Sequence, residues 1–242
     1  MKILAIAAAL ACAASLSAEI QKHDVDIQAP DGVNLKATYF SAGRSGPAVL
    51  LLHQCNMDRH AWDGLAADLA SGGISVLTFD NRGFGESGGS KSTDPDTRAA
   101  NRQKWPADVD AAFDYLIKQK GVDPSRLAVG GASCGVTLSS DLAARHHDIR
   151  ALLLLSGMAS DAAKAYIANN PSLPVFGAAS EGDTGAANGI RAALAESKDP
   201  KSVLKIYPGT EHGVPMFAKN PELEPMIVAW IKAQLPAAGG TH

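Results

Sequence analysis

Short, almost unbroken apolar segments alternate along the chain with longer segments whose apolar residues recur at helical spacing. Residues 48–53 and 149–155 are of the first kind, and residues 60–70 are of the second. Such a short apolar run is typical of a strand buried on both faces, whereas apolar positions three and four residues apart indicate a helix. Because strands joined through helices run parallel, the alternation predicts an α/β fold with helices on both faces of a mostly parallel sheet.

The same pattern, followed from end to end, predicts eight strands and six helices. The predicted strands are residues 23–29, 35–41, 48–53, 74–79, 126–130, 149–155, 174–179 and 203–207. The predicted helices are residues 60–70, 98–120, 134–145, 161–168, 186–195 and 222–235.

Three local features refine this prediction. Pro30, Asp31 and Gly32 separate the first two strands and predict a hairpin turn, so the sheet should begin with an antiparallel pair. Pro106 is expected to mark a restart, from which the amphipathic part of the second helix runs. Residues 156–173 leave room for one helix between two late strands, which predicts a fold without a cap domain and an open site.

The first 18 residues have the pattern of a secretory signal peptide. Lys2 is followed by an uncharged apolar run and then by Ser17 and Ala18, after which we expect cleavage. The predicted organisation is therefore a signal peptide, residues 1–18, and a single domain, residues 19–242, exported to the periplasm or the medium. Cys12 is not expected to carry a lipid, because Ala9, Leu10 and Ala11 suit a lipid-attachment site poorly.

Charge and motif content exclude several classes of partner. With 22 basic and 25 acidic residues and no block of like charge, the chain is not expected to bind nucleic acid. It contains no H-E-x-x-H or C-x-x-C motif, and the glycine-rich run 83–89 lacks the G-K-[ST] ending of a phosphate loop. We therefore expect no metal, no cofactor and, after signal cleavage, no membrane attachment. The sequence leaves the oligomeric state open.

The segment Gly131-Ala132-Ser133-Cys134-Gly135 matches G-x-S-x-G between a predicted strand and a predicted helix. A sharp turn in this context lifts a serine hydroxyl above the sheet, and the turn accepts only small residues two places on either side. Residues 85–89 also match the motif around Ser87, but they lie in a glycine-rich loop with no helix behind them. Ser133 is therefore the predicted nucleophile.

A serine hydroxyl needs a base, and the base needs an orienting acid, which follow such a serine in the order acid, then histidine. His212 lies in the loop after the last predicted strand and is the predicted base. The other histidines either lie at positions typical of surface residues or precede the serine. Glu181 and Asp183 both follow the strand 174–179, and we favour Asp183 because an orienting carboxylate should be short and held by a glycine turn.

Acyl transfer also needs hydrogen-bond donors for the developing oxyanion. One backbone N–H is expected from Cys134, at the start of a helix, and a second from Cys55 or Gln54 in the loop after Leu52. Residues whose N–H groups converge on one oxygen lie near the range that a disulfide spans. We therefore hypothesise a Cys55–Cys134 disulfide, and the alternative is two buried free thiols.

These landmarks, with the D-x-R-G-x-G-x-S run at residues 80–87, resemble the α/β-hydrolase-fold serine hydrolases. The resemblance covers about residues 50–213 and is strongest to the small dienelactone-hydrolase-like esterases. Two residues depart from the pattern. Gln54 stands where many members have glycine, and Ser133 occupies the elbow centre where dienelactone hydrolases have cysteine. Centring the turn on Cys134 instead would place Val136 at a small-residue position, which favours Ser133.

The resemblance implies a serine hydrolase that cleaves carboxylic esters through an acyl-enzyme, and the predicted signal peptide implies that it is exported. The predicted open site suits a bulky or polymer-attached ester better than a small buried one, and the expected substrate is a small-molecule or polymer-attached ester. A thioester, a lactone or a peptide would be cleaved by the same triad. A non-catalytic binding protein on this fold is the alternative from a different class.

Overall fold

The computed structural model describes residues 21–236, so the predicted signal peptide lies outside the described residues. Within these residues eight strands form one sheet, as predicted. They are β1 (Gln21–Gln28), β2 (Asn34–Ser41), β3 (Gly46–Leu52), β4 (Ser75–Phe79), β5 (Val122–Ala132), β6 (Ile149–Leu155), β7 (Val175–Ser180) and β8 (Val203–Tyr207). Their order across the sheet is β1-β2-β4-β3-β5-β6-β7-β8.

The sheet is antiparallel only at its start. β1 pairs antiparallel with β2, and β2 pairs antiparallel with β4, whereas the remaining pairs are parallel. Between β1 and β2 the backbone turns at Gly32, whose φ of 83° is in the region that favours glycine. The predicted hairpin and the predicted mostly parallel sheet are both confirmed.

Seven α-helices surround the described sheet. They are α1 (Asp63–Ser71), α2 (Pro95–Ile117), α3 (Cys134–Arg145), α4 (Asp161–Asn169), α5 (Thr184–Ala195), α6 (Met216–Lys219) and α7 (Leu223–Gln234). The apolar residues of α2, α3, α4 and α5 form a core on one face, and those of α1 and α7 form a core on the other. β3 shows the consequence, because Leu50 and Leu52 belong to the first core while Val49 and Leu51 belong to the second.

The second helix has no break at Pro106, although its buried residues begin at Trp105, close to where the amphipathic part was expected. α2 runs without interruption from Pro95 to Ile117, with Pro106 inside it. Its start is determined by Asp94, whose carboxylate accepts a hydrogen bond from the Thr97 N–H at 2.8 Å, and by Pro95 in the first turn. The first turns of α2 are exposed and polar, so they lack the apolar periodicity by which helices were identified.

Two smaller differences from the prediction concern the ends of elements. β5 begins at Val122 rather than at 126, and a short 3₁₀ helix, Arg59–Trp62, precedes α1. The segment between β6 and β7 contains the single helix α4, as expected for a fold without a cap. Among the helices of residues 21–236, none has both the length and the apolar character needed to cross a membrane.

Candidate active site

Ser133 occupies a strained turn between β5 and α3. Its φ is 55° and its ψ is −118°, a conformation that side-chain-bearing residues rarely adopt. A Cβ at Gly131 would collide with the Gly135 carbonyl, and one at Gly135 would collide with the Leu52 carbonyl. The two glycines of the motif are therefore required by the close approach of the backbone, and the turn holds Ser133 at the carboxyl edge of the sheet.

Asp183 and His212 come together from the loops that follow β7 and β8. His212 Nδ1 and Asp183 Oδ2 lie 2.5 Å apart. Glu181, the alternative acid, instead accepts a hydrogen bond from Arg191 Nη2 at 2.5 Å. The structure therefore pairs the histidine with Asp183, and this pairing leaves His212 Nε2 available to accept a proton.

Ser133, Asp183 and His212 line one open cavity of about 290 Å³. The other residues lining this cavity are Cys134, Thr137, Ser156, Gly157, Met158, Gly185 and Ala186. Within residues 21–236, no hydrogen bond joins the Ser133 hydroxyl to the His212 ring. Catalytic hydrogen bonds of this kind often tighten only when substrate is bound, so the shared cavity is the relevant geometry.

A disulfide joins Cys55 to Cys134, with their Cα atoms 5.8 Å apart. It connects the loop after β3 to the first residue of α3. The first N–H groups of a helix have no partner inside it, so the Cys134 N–H is suited to an anionic oxygen. The bond fixes the spacing between the two segments from which oxyanion donors are predicted, and both Cys55 and Gln54 remain candidates for the second donor.

The buried His53 side chain supports the loop after β3. It is fully buried, its Nδ1 lies 2.8 Å from the Gln54 carbonyl oxygen, and its Nε2 accepts the Asn81 N–H at 3.0 Å. Burial lowers the pKa of His53 below its ordinary value of 6.5. A neutral ring that donates from Nδ1 and accepts at Nε2 satisfies both contacts, so His53 ties the loop after β3 to the end of β4.

The run at residues 80–87 has a structural role. The Ser87 hydroxyl is buried, accepts the Lys36 N–H at 2.8 Å and donates to the Asp80 carbonyl oxygen at 2.6 Å. Arg82 forms ion pairs with Asp31 and Asp108 at 2.7 and 2.6 Å, which raises the pKa of Arg82 and lowers that of Asp31 to about 2. These bonds hold the loop against the sheet and α2.

Sequence reasoning missed Ser156 and Met158, which line the cavity beside Ser133. Ser156 is buried with a φ of 49°, and Met158 is 62% exposed. The Thr137 hydroxyl donates to the Met158 carbonyl oxygen at 2.8 Å and holds this segment over α3. Their position directly after β6, at the edge of the sheet where sites form, is the signal by which they could have been found.

Comparisons with known proteins agree with this fold. Residues 44–180 match the model of the family described as serine aminopeptidase, S33. An uncharacterized protein of Mycobacterium tuberculosis is 35% identical over 154 residues, 63% of this chain and 51% of that protein. A thiohydrolase of Aspergillus aculeatus is 31% identical over 111 residues, 46% of this chain and 33% of that protein. This chain thus spans about half the length of the mycobacterial relative.

Solved structures share the fold at low sequence identity. A Pyrococcus furiosus esterase superposes with a TM-score of 0.67 at 17% identity, covering 90% of this chain and 92% of that one. A dienelactone hydrolase from Anabaena variabilis gives 0.68 at 17% identity, covering 90% and 99%. The predicted resemblance to α/β hydrolases of the esterase and dienelactone-hydrolase type is confirmed, and the chain belongs to the serine aminopeptidase S33 family of α/β hydrolases.

Proposed function

We propose that this protein is a serine hydrolase that cleaves carboxylic esters through an acyl-enzyme. Ser133 is the nucleophile, His212 the general base and Asp183 the orienting acid. The observation that carries the proposal is the 2.5 Å contact between His212 Nδ1 and Asp183 Oδ2 at the cavity that Ser133 also lines. A binding protein would need neither this pair nor a serine on a strained turn beside it.

The reaction proceeds in two halves. Ser133 Oγ attacks the ester carbonyl carbon while His212 Nε2 takes the hydroxyl proton, and Asp183 stabilises the resulting imidazolium. The carbon–oxygen bond to the alcohol then breaks, and His212 returns the proton to the leaving alkoxide. Water attacks the acyl-enzyme, gives its proton to His212 and releases the acid, after which the proton returns to Ser133 Oγ.

The oxyanion of each tetrahedral intermediate binds the Cys134 N–H and an N–H of Cys55 or Gln54. A single preorganised donor of this kind contributes on the order of 10²–10³ in kcat. The Cys55–Cys134 disulfide supports the assignment because it holds the two donor segments at a fixed separation. The donors therefore need little reorganisation when negative charge develops.

The substrate proposed is a small-molecule or polymer-attached ester. Supporting this choice, the segment between β6 and β7 contains the single helix α4, and the cavity is open to solvent beside the exposed Met158. Thioester cleavage is the second candidate, because a 31% identical relative is described as a thiohydrolase. The same triad serves both reactions, since the leaving group alone differs.

We also propose that the protein works outside the cytoplasm. The sequence of residues 1–18 has the pattern of a signal peptide, and disulfides persist mainly in oxidising compartments. Edman sequencing of the protein secreted by an expressing cell would give Glu19 as its first residue. A chain that retains residues 1–18 and stays in the cytoplasm would contradict export.

A fluorophosphonate probe tests the proposed function. We expect stoichiometric labelling of the wild type and none of Ser133→Ala, while Ser87→Ala, which changes the serine of the second motif, is labelled. A panel of p-nitrophenyl esters, acyl thioesters and aminoacyl p-nitroanilides then identifies the bond cleaved. A folded wild type that reacts with neither probe nor panel would overturn the proposal.

A further inference from the structure

The Gln54 side chain extends from the loop after β3 to the loop that carries His212. It is 1% exposed. Its Oε1 accepts the Val214 N–H at 2.9 Å, and its Nε2 donates to Asn56 Oδ1 at 2.8 Å and to the His212 carbonyl oxygen at 3.4 Å. One buried amide therefore contacts the backbone on both sides of Gly213.

The backbone at Gly213 fits closely against this amide. Gly213 has a φ of 72°, and a Cβ built on it would collide with Gln54 Oε1. This close fit involves the same Oε1 that accepts the Val214 N–H. The turn that follows His212 is shaped against the Gln54 side chain, and its conformation requires glycine there.

The backbone on the N-terminal side of His212 is held by the sheet. Ser180, at the end of β7, donates its hydroxyl to the Glu211 carbonyl oxygen at 2.7 Å. The backbone is thus fixed before His212 by Ser180 and after it by Gln54. Because the loop that carries Gln54 also contains Cys55, it is covalently attached to Cys134 next to the nucleophile.

We infer that Gln54 is a positioning residue that sets the place of the His212 imidazole relative to Ser133. This role rests on the proposed function. The Gln54 side chain acts through the backbone of residues 212–214 and not on substrate. Many members of the resembled family have glycine at this position. The glutamine found here connects the loop after β3, from which an oxyanion donor is predicted, to the loop that carries His212.

Gln54→Met tests the inference because it keeps the side chain's length and removes its hydrogen bonds. We expect kcat for p-nitrophenyl acetate to fall roughly 10- to 100-fold with KM little changed, since small displacements of a catalytic group have effects of this size. Gln54→Glu retains an acceptor for the Val214 N–H but loses the donor to the His212 carbonyl oxygen, so it should not restore wild-type kcat. The matched control is Gln119→Met, a half-buried glutamine before β5 at the opposite edge of the sheet, which should keep wild-type kcat.

Proton NMR supplies a readout that does not depend on turnover. The short His212–Asp183 hydrogen bond should give a strongly downfield Nδ1–H resonance in the wild type and Gln119→Met, and Gln54→Met should broaden or shift it. If Gln54 only stabilises the fold, its variants melt at a lower temperature but keep both the resonance and kcat, which would overturn the inference. Fluorophosphonate labelling of the wild type and Ser133→Ala tests the proposed function separately.

Discussion

Two serines of this chain share the same five-residue motif and lie in opposite surroundings. Ser133 has a φ of 55° and lines an open cavity with His212. Ser87 is 2% exposed, and both its donor and its acceptor capacity are used by backbone groups. The difference shows that the motif alone does not place a serine hydroxyl at a cavity. What matters is a strand before the serine and a helix after it, because this context presents the hydroxyl at the edge of the sheet.

Removal of each hydroxyl in turn tests the difference between Ser133 and Ser87 and should give the largest effect. Ser133→Ala should lower kcat by on the order of 10⁶, because the proposed nucleophile of the triad is lost. Ser87→Ala should keep kcat within a few-fold but lower the free energy of unfolding by about 1–3 kcal/mol, since the Lys36 N–H loses its acceptor and the Asp80 carbonyl oxygen loses its donor. Steady-state hydrolysis and urea denaturation measure the two effects. The reverse pattern would exchange the roles of the two serines.

The two acids that follow β7 allow a second comparison. Asp183→Asn should lower kcat by on the order of 10⁴, because an amide favours the wrong tautomer of His212. Glu181→Gln should leave kcat nearly unchanged, since Glu181 pairs with Arg191 on the surface. Hydrolysis of one ester by both variants is sufficient. A larger loss in the Glu181 variant would reassign the orienting acid.

The disulfide is a further feature that distinguishes the turn at Ser133 from the loop of Ser87. Reduction should lower kcat roughly 10- to 100-fold, because the two oxyanion donor segments are no longer held together. It should also reduce stability by about 4 kcal/mol for a bridge between residues 79 positions apart. Ester hydrolysis and melting with and without reductant measure both.

The control for reduction is a Cys55→Ser, Cys134→Ser double variant, which should not respond to reductant. Alkylation of denatured, unreduced protein followed by peptide mapping checks the bond itself. Modification of both cysteines under these conditions would show two free thiols and remove the disulfide from the mechanism.

The smallest effect concerns pH and His53. Its pKa is lowered by burial, so as pH falls the unfolded chain binds a proton before the folded chain does. The contribution of His53 to stability is complete above its ordinary pKa of 6.5 and is lost as the pH falls below it. Melting temperatures between about pH 7 and about pH 5 should fall more steeply for the wild type than for His53→Gln. Equal slopes would contradict a neutral buried ring.

Sequence reasoning reached the fold and the residues of the site whose signals are local. Ser133, Asp183 and His212 each lie within five residues of the end of a strand, so a motif and strand boundaries were enough to predict them as site residues. Gln54 and Val214 are 160 residues apart in sequence, and nothing local to either residue indicates that they meet. The predicted start of α2 at residue 98 was three residues late for a related reason, because its first turns are solvated and depend on the Asp94 cap rather than on apolar periodicity.

The most direct test of Ser133 as the nucleophile is to map the site of fluorophosphonate attachment by mass spectrometry of the digested protein. We expect one probe per chain, on the peptide that contains Ser133 and at that residue. Attachment at Ser87, or a folded protein that carries no probe, would contradict the proposed mechanism.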